Sequence, residues 1–334
     1  MTEPIIGIIA NPASGKDIRR LVALGSSVDN VEKVNIVRRV LAGLTAMGIG
    51  RIAYLPDGFG IASRAAGLSQ FPEATPLPMD CFNVPSDSQE AAARLAELGV
   101  SAIVTLGGDG TNRMVAKGCG TVPIMPISTG TNNVFPTQVE GTIAGIAVGA
   151  VARGVTEAPD GGNVVVRQPR IVVTVDGVDD DMALIDAVTT KNSWIGARAV
   201  WRPQDIGTIV LSRVVPGSIG MASFGSVLFP DDRAHLKGVA VELDVHAERR
   251  VLVPLAPGVV VEAGIADART LDDGDLVDVR ADDAFTIALD GEREIEILDP
   301  RRAVQFRRSG DGPFTVDAVS AFRGAAAQGL LAPA

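Results

Sequence analysis

The chain has 334 residues, 46% of them hydrophobic, and a formal net charge of −10 from 30 Lys plus Arg against 40 Asp plus Glu. This length and composition predict a globular protein with room for two sizeable cores, and they exclude a disordered chain. The acidic balance argues against nucleic acid and anionic membrane surfaces as partners. Two cysteines and two histidines make no disulfide framework and argue against a histidine-centred zinc site.

The N-terminus lacks the basic region of a secretory signal, and the longest apolar run, residues 143–152, is about half the length of a membrane span. We therefore expect a soluble cytoplasmic protein with no membrane span. We also expect it to form a homo-oligomer.

Residues 5–10 are apolar throughout and predict a buried parallel strand, which ends in the turn Asn11-Pro12-Ala13-Ser14-Gly15-Lys16. This turn lacks the second glycine and the spacing of a Walker phosphate loop. Two interpretations stay open here. The turn either connects a strand to a helix and leaves Lys16 in solvent, or it contacts a nucleotide through Asn11 and Ser14.

The next segments alternate between helical and strand patterns. Their predicted bounds are a helix at 30–47, a strand at 51–55, a short third strand at 82–85 and a helix at 87–98 capped by Ser86 or Asp87. Such a βαβα series predicts a doubly wound parallel sheet.

A glycine-rich turn, residues 106–112, follows the apolar strand predicted at 100–105 and precedes a helix predicted to begin near Asn112. Its Gly107, Gly108 and Gly110 are expected to adopt positive φ and let backbone N–H groups approach a phosphate, to which the helix N-terminus adds partial positive charge. Asp109 would repel that phosphate unless it handles a metal or accepts a proton. The alternative is a tight turn in which Asp109 only caps the helix.

A second turn of small polar residues, 128–136, follows the strand predicted at 123–127. In an open parallel sheet, ligands bind beyond the carboxyl ends of the strands. Two such turns side by side would line one pocket with N–H and hydroxyl donors.

The glycine and alanine spacing of residues 141–154 predicts a helix packed very closely on its neighbour. The turn-rich residues 158–162 suggest a domain boundary, giving an α/β domain at 1–158. Short β runs after residue 163 predict an antiparallel, sandwich-like β domain at 159–315, which would carry the acceptor. The alanine-rich segment 316–334 is predicted to contain a helix that can pack back on the first domain.

The paired motifs resemble those of a known superfamily. Residues 107–111 with 130–133 resemble the superfamily of NAD kinases and of diacylglycerol or sphingosine kinases, and residues 126–136 are most similar to its ATP-NAD-kinase-like branch found with acetoin catabolism. The turn at 11–16 is similar to the NPxSGK turn of the lipid kinases.

This resemblance implies a two-domain kinase with its site in the cleft, using ATP and Mg²⁺. Mg²⁺ would bridge the phosphate oxygens, and Asp109 would act as the base or the metal-side acid. The residues that the resemblance assigns to ATP are Asn11, Ser14, Gly107, Gly108, Gly110, Thr111, Asn112, Thr129, Gly130, Thr131 and Asn133.

The resemblance also points to acceptor residues in the second half. Asp186 lies where NAD kinases carry the Glu of an Asn-Glu pair, and Ile185 replaces the Asn. Residues 216–225, with Gly217 and Ser218, resemble an altered PTGSTAY stretch in which Ile219 and Met221 replace Thr and Tyr. Asp290-Gly291-Glu292 resembles the DGE turn of the lipid kinases, whose acid positions or deprotonates the acceptor; the alternative is a plain hairpin turn.

The function predicted from these residues is ATP-dependent phosphoryl transfer, with NAD as the first candidate acceptor, giving NADP. The lost polar groups at positions 185, 219 and 221 predict weak phosphorylation of NAD. A kinase of another small polyol or of a lipid is the second hypothesis. A regulator that binds ATP or NAD without transferring phosphate is the third.

Overall fold

The computed structural model describes residues 3–15, 28–67, 70–130, 133–191, 203–231 and 237–332. Its strands, in chain order, are β1 Ile5–Ala10, β2 Arg51–Tyr54, β3 Glu73–Pro76, β4 Ala102–Gly107, β5 Ile124–Ser128, β6 Val165–Arg167, β7 Arg170–Val175, β8 Val178–Ala183, β9 Asp186–Thr190, β10 Ile206–Leu211, β11 Gly238–Leu243, β12 Arg250–Ala256, β13 Val259–Leu271, β14 Leu276–Val279, β15 Phe285–Leu289, β16 Glu292–Ile297, β17 Val304–Ser309 and β18 Phe314–Val316. Its helices are α1 Asn30–Ala46, α2 Ile61–Ala66, α3 Pro85–Glu97, α4 Asp109–Gly118, α5 Gly141–Ala152, α6 Ala222–Leu228 and α7 Ala318–Ala327.

The first sheet is mostly parallel and has the strand order β3-β2-β1-β4-β5-β18-β6. Only the edge strand β6 runs antiparallel, to β18. The chain builds β1, β2 and β3 outward on one side and then crosses to β4 and β5 on the other. The order therefore reverses between β1 and β4, which is the position where open α/β sheets bind ligands.

Helices cover both faces of this sheet. Helices α1, α5 and α7 bury their apolar side chains on one face, and α3 and α4 bury theirs on the other. The predicted doubly wound α/β arrangement is confirmed. The close helix packing is confirmed too, because a Cβ on Gly145 of α5 would lie 2.1 Å from the carbonyl oxygen of Val40 in α1.

The second part of the chain forms two antiparallel sheets, in the orders β12-β13-β11-β10-β9-β15-β16 and β14-β17-β7-β8. Buried side chains such as Val173 and Phe306 from the smaller sheet share one core with Val210 and Ile287 from the larger one. This stacking confirms the predicted sandwich-like β region.

Two predictions about single strands were wrong. Residues 82–84 form a loop, since the Asp87 carboxylate accepts the N–H groups of Phe82 and Val84 and α3 begins at Pro85; the third strand is β3. The apolar run at 164–166 contributes β6 to the first sheet and not to the β region, because Val165 pairs with Val316 of β18. Helix α7 follows β18 and packs into the core of the first sheet.

Within the described ranges, we find no helix that is both long enough and apolar enough to cross a membrane.

Candidate active site

Three turns meet at the carboxyl ends of β1, β4 and β5. Asn11 directly follows β1, and its backbone N–H donates to the carbonyl of Leu106 at 2.9 Å. Gly107 at the end of β4 is in register with Ser128 at the end of β5. The next residue, Thr129, donates its N–H to the carbonyl of Gly107 at 3.2 Å. Parallel pairing alone therefore brings the three predicted loops to one edge of the sheet.

Polar side chains join these turns to one another. The Asn11 Nδ2 donates to Thr111 Oγ1 at 2.9 Å, and the hydroxyls of Ser14 and Thr129 lie 2.9 Å apart. The structure thus brings together four residues that the sequence assigned to nucleotide binding.

Within the second turn, the Asn133 Nδ2 donates to Ser128 Oγ at 2.7 Å. Thr131 lies outside the described residues.

In the turn at 106–112, the glycines matter because they lack a side chain and not because they adopt positive φ. Gly107, Gly108 and Gly110 are not among the positive-φ glycines, so that prediction was wrong. A Cβ on Gly107 would lie 2.4 Å from Thr111 Cβ, and one on Gly108 would lie 2.9 Å from Asn133 Oδ1. The Thr111 side chain of the same turn therefore fills the space beside Gly107, and the Asn133 side chain of the second turn approaches Gly108.

Asp109 is the first residue of α4, three residues earlier than the predicted helix start, and it is buried. It does not cap the helix, whose N-cap is Gly108 with no side-chain cap bond. Its carboxylate accepts the N–H of Phe135 at 2.8 Å and the N–H of Val134 at 3.1 Å. Asp109 therefore fastens the second turn to the start of the first motif's helix.

Asn112 is fully buried and faces the fold, not the turns' outer surface. Its Oδ1 accepts from Thr105 Oγ1 at 2.6 Å and its Nδ2 donates to the Gly108 carbonyl at 2.9 Å. These bonds favour a role in shaping the turn over direct contact with a ligand.

Lys33 is a contributor that the sequence analysis missed. Its fully buried ammonium donates to the carbonyls of Asn11 and Ser14 at 2.9 and 2.8 Å, and to Asn30 Oδ1 at 3.2 Å. It thereby holds the turn that follows β1 from the protein interior. Its position on the apolar face of an amphipathic helix was the signal available in the sequence.

The β region reaches this site through the turn between β15 and β16. Asp290 and Gly291 have φ of 51° and 80°, so the hairpin interpretation of this Asp-Gly pair is confirmed. The turn also contacts the first motif, since a Cβ on Gly110 would lie 3.3 Å from Glu292 Oε1. Glu292 is the first residue of β16, and its partly exposed carboxylate therefore lies close to the N-terminal end of α4.

Asp290 itself is buried and organises the strand that carries Asp186. Its carboxylate accepts the backbone N–H groups of Leu184, Ile185 and Asp186 at 2.7 to 3.3 Å. Burial raises the pKa of the Asp290 carboxyl to about 6, although Arg113 and these N–H groups oppose the shift. Asp186 is also buried, and its backbone carbonyl accepts the N–H of Asp290.

Arg113 on α4 was also missed, and it joins the two parts of the molecule. Its side chain is 3% exposed and pairs with Asp181 at 3.1 Å, Glu294 at 2.6 Å and Asp290 at 3.8 Å, all in the β region. Burial lowers the pKa of its guanidinium, but the surrounding carboxylates outweigh burial and raise it. Lys117, one turn further along α4, pairs with Asp181 at 2.5 Å.

An apolar cluster also connects the two parts beside the site. Phe135 of the second turn packs with Met182, Leu184, Ile185 and Ala222 of the β region. Ile185 is therefore interior, and its apolar side chain offers no hydrogen bond to a ligand. Ser218 Oγ lies 3.0 Å from Ser226 Oγ, and Gly217 is exposed beside it; the contacts described for these two residues do not reach the three turns.

Across the described ranges, no three or more His, Cys, Asp or Glu side chains are grouped so that they could hold a metal ion.

The comparisons with known proteins agree with this architecture. Residues 6–153 match the ATP-NAD kinase N-terminal domain, and residues 169–309 match the C-terminal domain of acetoin catabolism protein X. The match to the ATP-NAD kinase N-terminal domain, on a doubly wound α/β sheet, supports a kinase-family protein. A relative named acetoin catabolism protein X, from Cupriavidus necator, is 37% identical over 305 residues, covering 87% of this chain and 84% of the relative. The chain belongs to the acetoin catabolism protein X family.

Two solved structures of a candidate diacylglycerol kinase from Bacillus anthracis str. Sterne are more distant. Each is 15% identical and is matched over 94% of this chain and 96% or 98% of its own length, with TM-scores of 0.47 and 0.45. A likeness at this level is too remote to transfer a function.

Proposed function

We propose that this protein is an ATP-dependent kinase that phosphorylates a hydroxyl group of a small acceptor other than NAD. The ATP phosphates lie against the three turns that follow β1, β4 and β5. Asp109 takes the acceptor proton, and Glu292 holds the acceptor from the side of the β region.

One observation carries the proposal. Three turns rich in small polar residues are hydrogen-bonded into one surface at the point where the strand order reverses, and a carboxylate lies within that surface. Backbone and side-chain donors at a helix N-terminus suit phosphate, and a carboxylate there favours transfer over storage.

The chemistry is a direct phosphoryl transfer. The acceptor hydroxyl oxygen forms a bond to the γ-phosphorus, the bond from that phosphorus to the β,γ-bridging oxygen breaks, and ADP leaves with the electron pair. The hydroxyl proton passes to the Asp109 carboxylate, which its bonds to Val134 and Phe135 hold in a fixed orientation. Such catalysis depends mainly on positioning and charge neutralisation.

Mg²⁺ fits this site as an ion that binds together with ATP and not as one that the protein binds alone. The described residues provide no cage of carboxylates for it, and Mg²⁺ in kinases is held largely by substrate phosphates. When bound, the ion neutralises phosphate charge. The neighbouring carboxylate of this chain is Asp109.

The acceptor is unlike NAD because a polar residue that holds NAD in NAD kinases is replaced by Ile185, which is buried in the apolar cluster. Each missing hydrogen bond to a buried polar group costs about 1–3 kcal/mol. Two or three such losses weaken NAD use on the order of 10²-fold or more. Homo-oligomer formation stays a prediction.

The test is a screen of acceptor-dependent ATP consumption with NAD, NADH, diacylglycerol and small polyols. We expect ADP release with at least one hydroxylated acceptor and little NADP. NADP formation at ordinary kinase rates would contradict our choice of acceptor class. ATP binding without transfer to any acceptor would favour the regulator instead.

A further inference from the structure

Arg213 is a cation of the β region that lies at the candidate site. It follows β10 by two residues and is partly exposed. Its guanidinium carbon lies 5.8 Å from the centroid of the Phe135 ring. The backbone N–H of Phe135 is the one that donates to Asp109 at 2.8 Å. A single residue thus separates the guanidinium from the carboxylate at the centre of the site.

The side chain of Arg213 is held in place from the opposite side. Its Nη1 donates to Gln168 Oε1, and Gln168 lies on the segment that leads from β6 to β7. The Nε2 of Gln168 in turn donates to Thr315 Oγ1 of β18 at 2.7 Å. The guanidinium is therefore fixed between the second turn and the crossover that joins the two parts of the molecule.

The positive charge of the Arg213 guanidinium is only partly balanced by the residues around it. Among the described residues, no carboxylate lies within ion-pair distance of its guanidinium, and its hydrogen-bond partner is neutral. Burial lowers its pKa, and the Asp109 carboxylate opposes that shift. Removing a cation from water without an anionic partner is costly, and Arg presents five N–H donors in a fork that matches phosphate.

Building on the proposed function, we infer that Arg213 binds the terminal phosphoryl group of the nucleotide from the side of the β region. The anion supplies the negative charge that the described residues do not place within ion-pair distance of Arg213. The Arg213 cation also lies beside Asp109, where it offsets the repulsion between that carboxylate and the phosphate.

This role predicts that Arg213 contributes to the binding of ATP but not to that of ADP, because only ATP carries the γ-phosphoryl group. The test is calorimetric titration of the wild type and of Arg213→Met with MgATP and with MgADP. We expect the variant to lose roughly 10- to 100-fold in affinity for ATP, as for a lost charged hydrogen bond. Its affinity for ADP should stay within a few-fold of the wild type.

Arg167→Met is the matched control. Arg167 also stacks on an aromatic ring, Phe314, at 5.3 Å, and it donates to the carbonyls of residues 311 and 312. We expect this variant to bind both nucleotides as the wild type does. If Arg213→Met does not fold, Arg213→Lys, which keeps the charge but loses the fork, should still reduce the preference for ATP over ADP.

Equal losses for ATP and ADP, or no loss in a folded variant, would overturn the role of Arg213 while the proposed kinase stands. A wild type that binds neither nucleotide would overturn both.

Discussion

In the proposed mechanism, Asp109 has two tasks. Its carboxylate anchors the second turn through the N–H groups of Val134 and Phe135. It also accepts the proton of the acceptor hydroxyl. A substitution that keeps an acceptor oxygen but removes the charge separates these tasks.

We predict that Asp109→Asn keeps or tightens ATP binding in the absence of Mg²⁺, because two negative charges about 4 Å apart repel by about 4 kcal/mol at an effective dielectric of ~20. Transfer should fall by roughly 10²- to 10⁴-fold, the usual contribution of a positioned acid or base. Turnover and ATP affinity are measured on the same preparation.

The control is Asp87→Asn, since Asp87 is another buried carboxylate that accepts backbone N–H groups, at the start of α3. We expect it to leave turnover per folded molecule unchanged. Turnover of Asp109→Asn within a few-fold of the wild type would remove Asp109 from the mechanism.

At the scale of single elements, α4 connects the site to the β region. Its first turn carries Asp109 and Gly110, and its next turns carry Arg113 and Lys117 to the carboxylates of β8 and β16. The position of Glu292 relative to Gly110 therefore depends on this helix.

We predict that Arg113→Met lowers the free energy of unfolding by about 3–5 kcal/mol, because it leaves the buried Asp290 carboxylate, and the partly exposed Asp181 and Glu294, without their cation. Urea unfolding measures the loss. Arg94→Met is the control: Arg94 pairs with Glu90 on the exposed face of α3, and such pairs contribute about 0.3–0.5 kcal/mol. Equal losses for the two variants would show that the Arg113 network does not join the two parts.

At the scale of the whole molecule, the sequence predicts much of the fold because strands such as β1, β4 and β5 are mainly apolar and many turns contain glycine. The α/β sheet, the two motif turns and the antiparallel strands follow from such local patterns. The assignment of β6 to the first sheet does not, since Val165–Arg167 resembles the β runs that follow it and only its pairing with β18 decides.

The same limit applies to the site. Glycine-rich turns can be recognised from their composition, so Gly107, Gly108 and Gly130 could be named from the sequence as candidate site residues. Arg113 and Arg213 could not, because nothing adjacent in the sequence marks them. Their partners, Asp181, Glu294 and Phe135, are about 70 or more residues away in the chain.

Stability should respond to pH through Asp290. Burial raises the pKa of its carboxyl to about 6, above the ~3.9 of an unfolded aspartate. The folded state therefore favours the neutral form, so this group's stabilisation is fully present below about pH 4 and is lost as the pH rises through about 6.

We predict that the free energy of unfolding of the wild type falls relative to that of Asp290→Asn as the pH rises from 4 to 7. The Asn side chain does not titrate, so the difference between the two proteins isolates this carboxyl. Urea unfolding at several pH values measures it. A wild-type free energy of unfolding that stays constant or rises relative to that of Asp290→Asn would contradict a raised pKa.

The most direct measurement of the central claim, that the three turns form one nucleotide site, is the titration of Gly130→Val with MgATP. A Cβ on Gly130 would lie 2.5 Å from Asn133 Oδ1, so the Asn133 side chain, which donates to Ser128, must move. We also expect the valine side chain to block the close approach of a phosphate to this backbone. Gly162→Val, in an exposed turn, is the control. We predict that the wild type and the control bind MgATP and that Gly130→Val, with native circular dichroism, does not. Unchanged affinity in a folded Gly130→Val variant would contradict the claim.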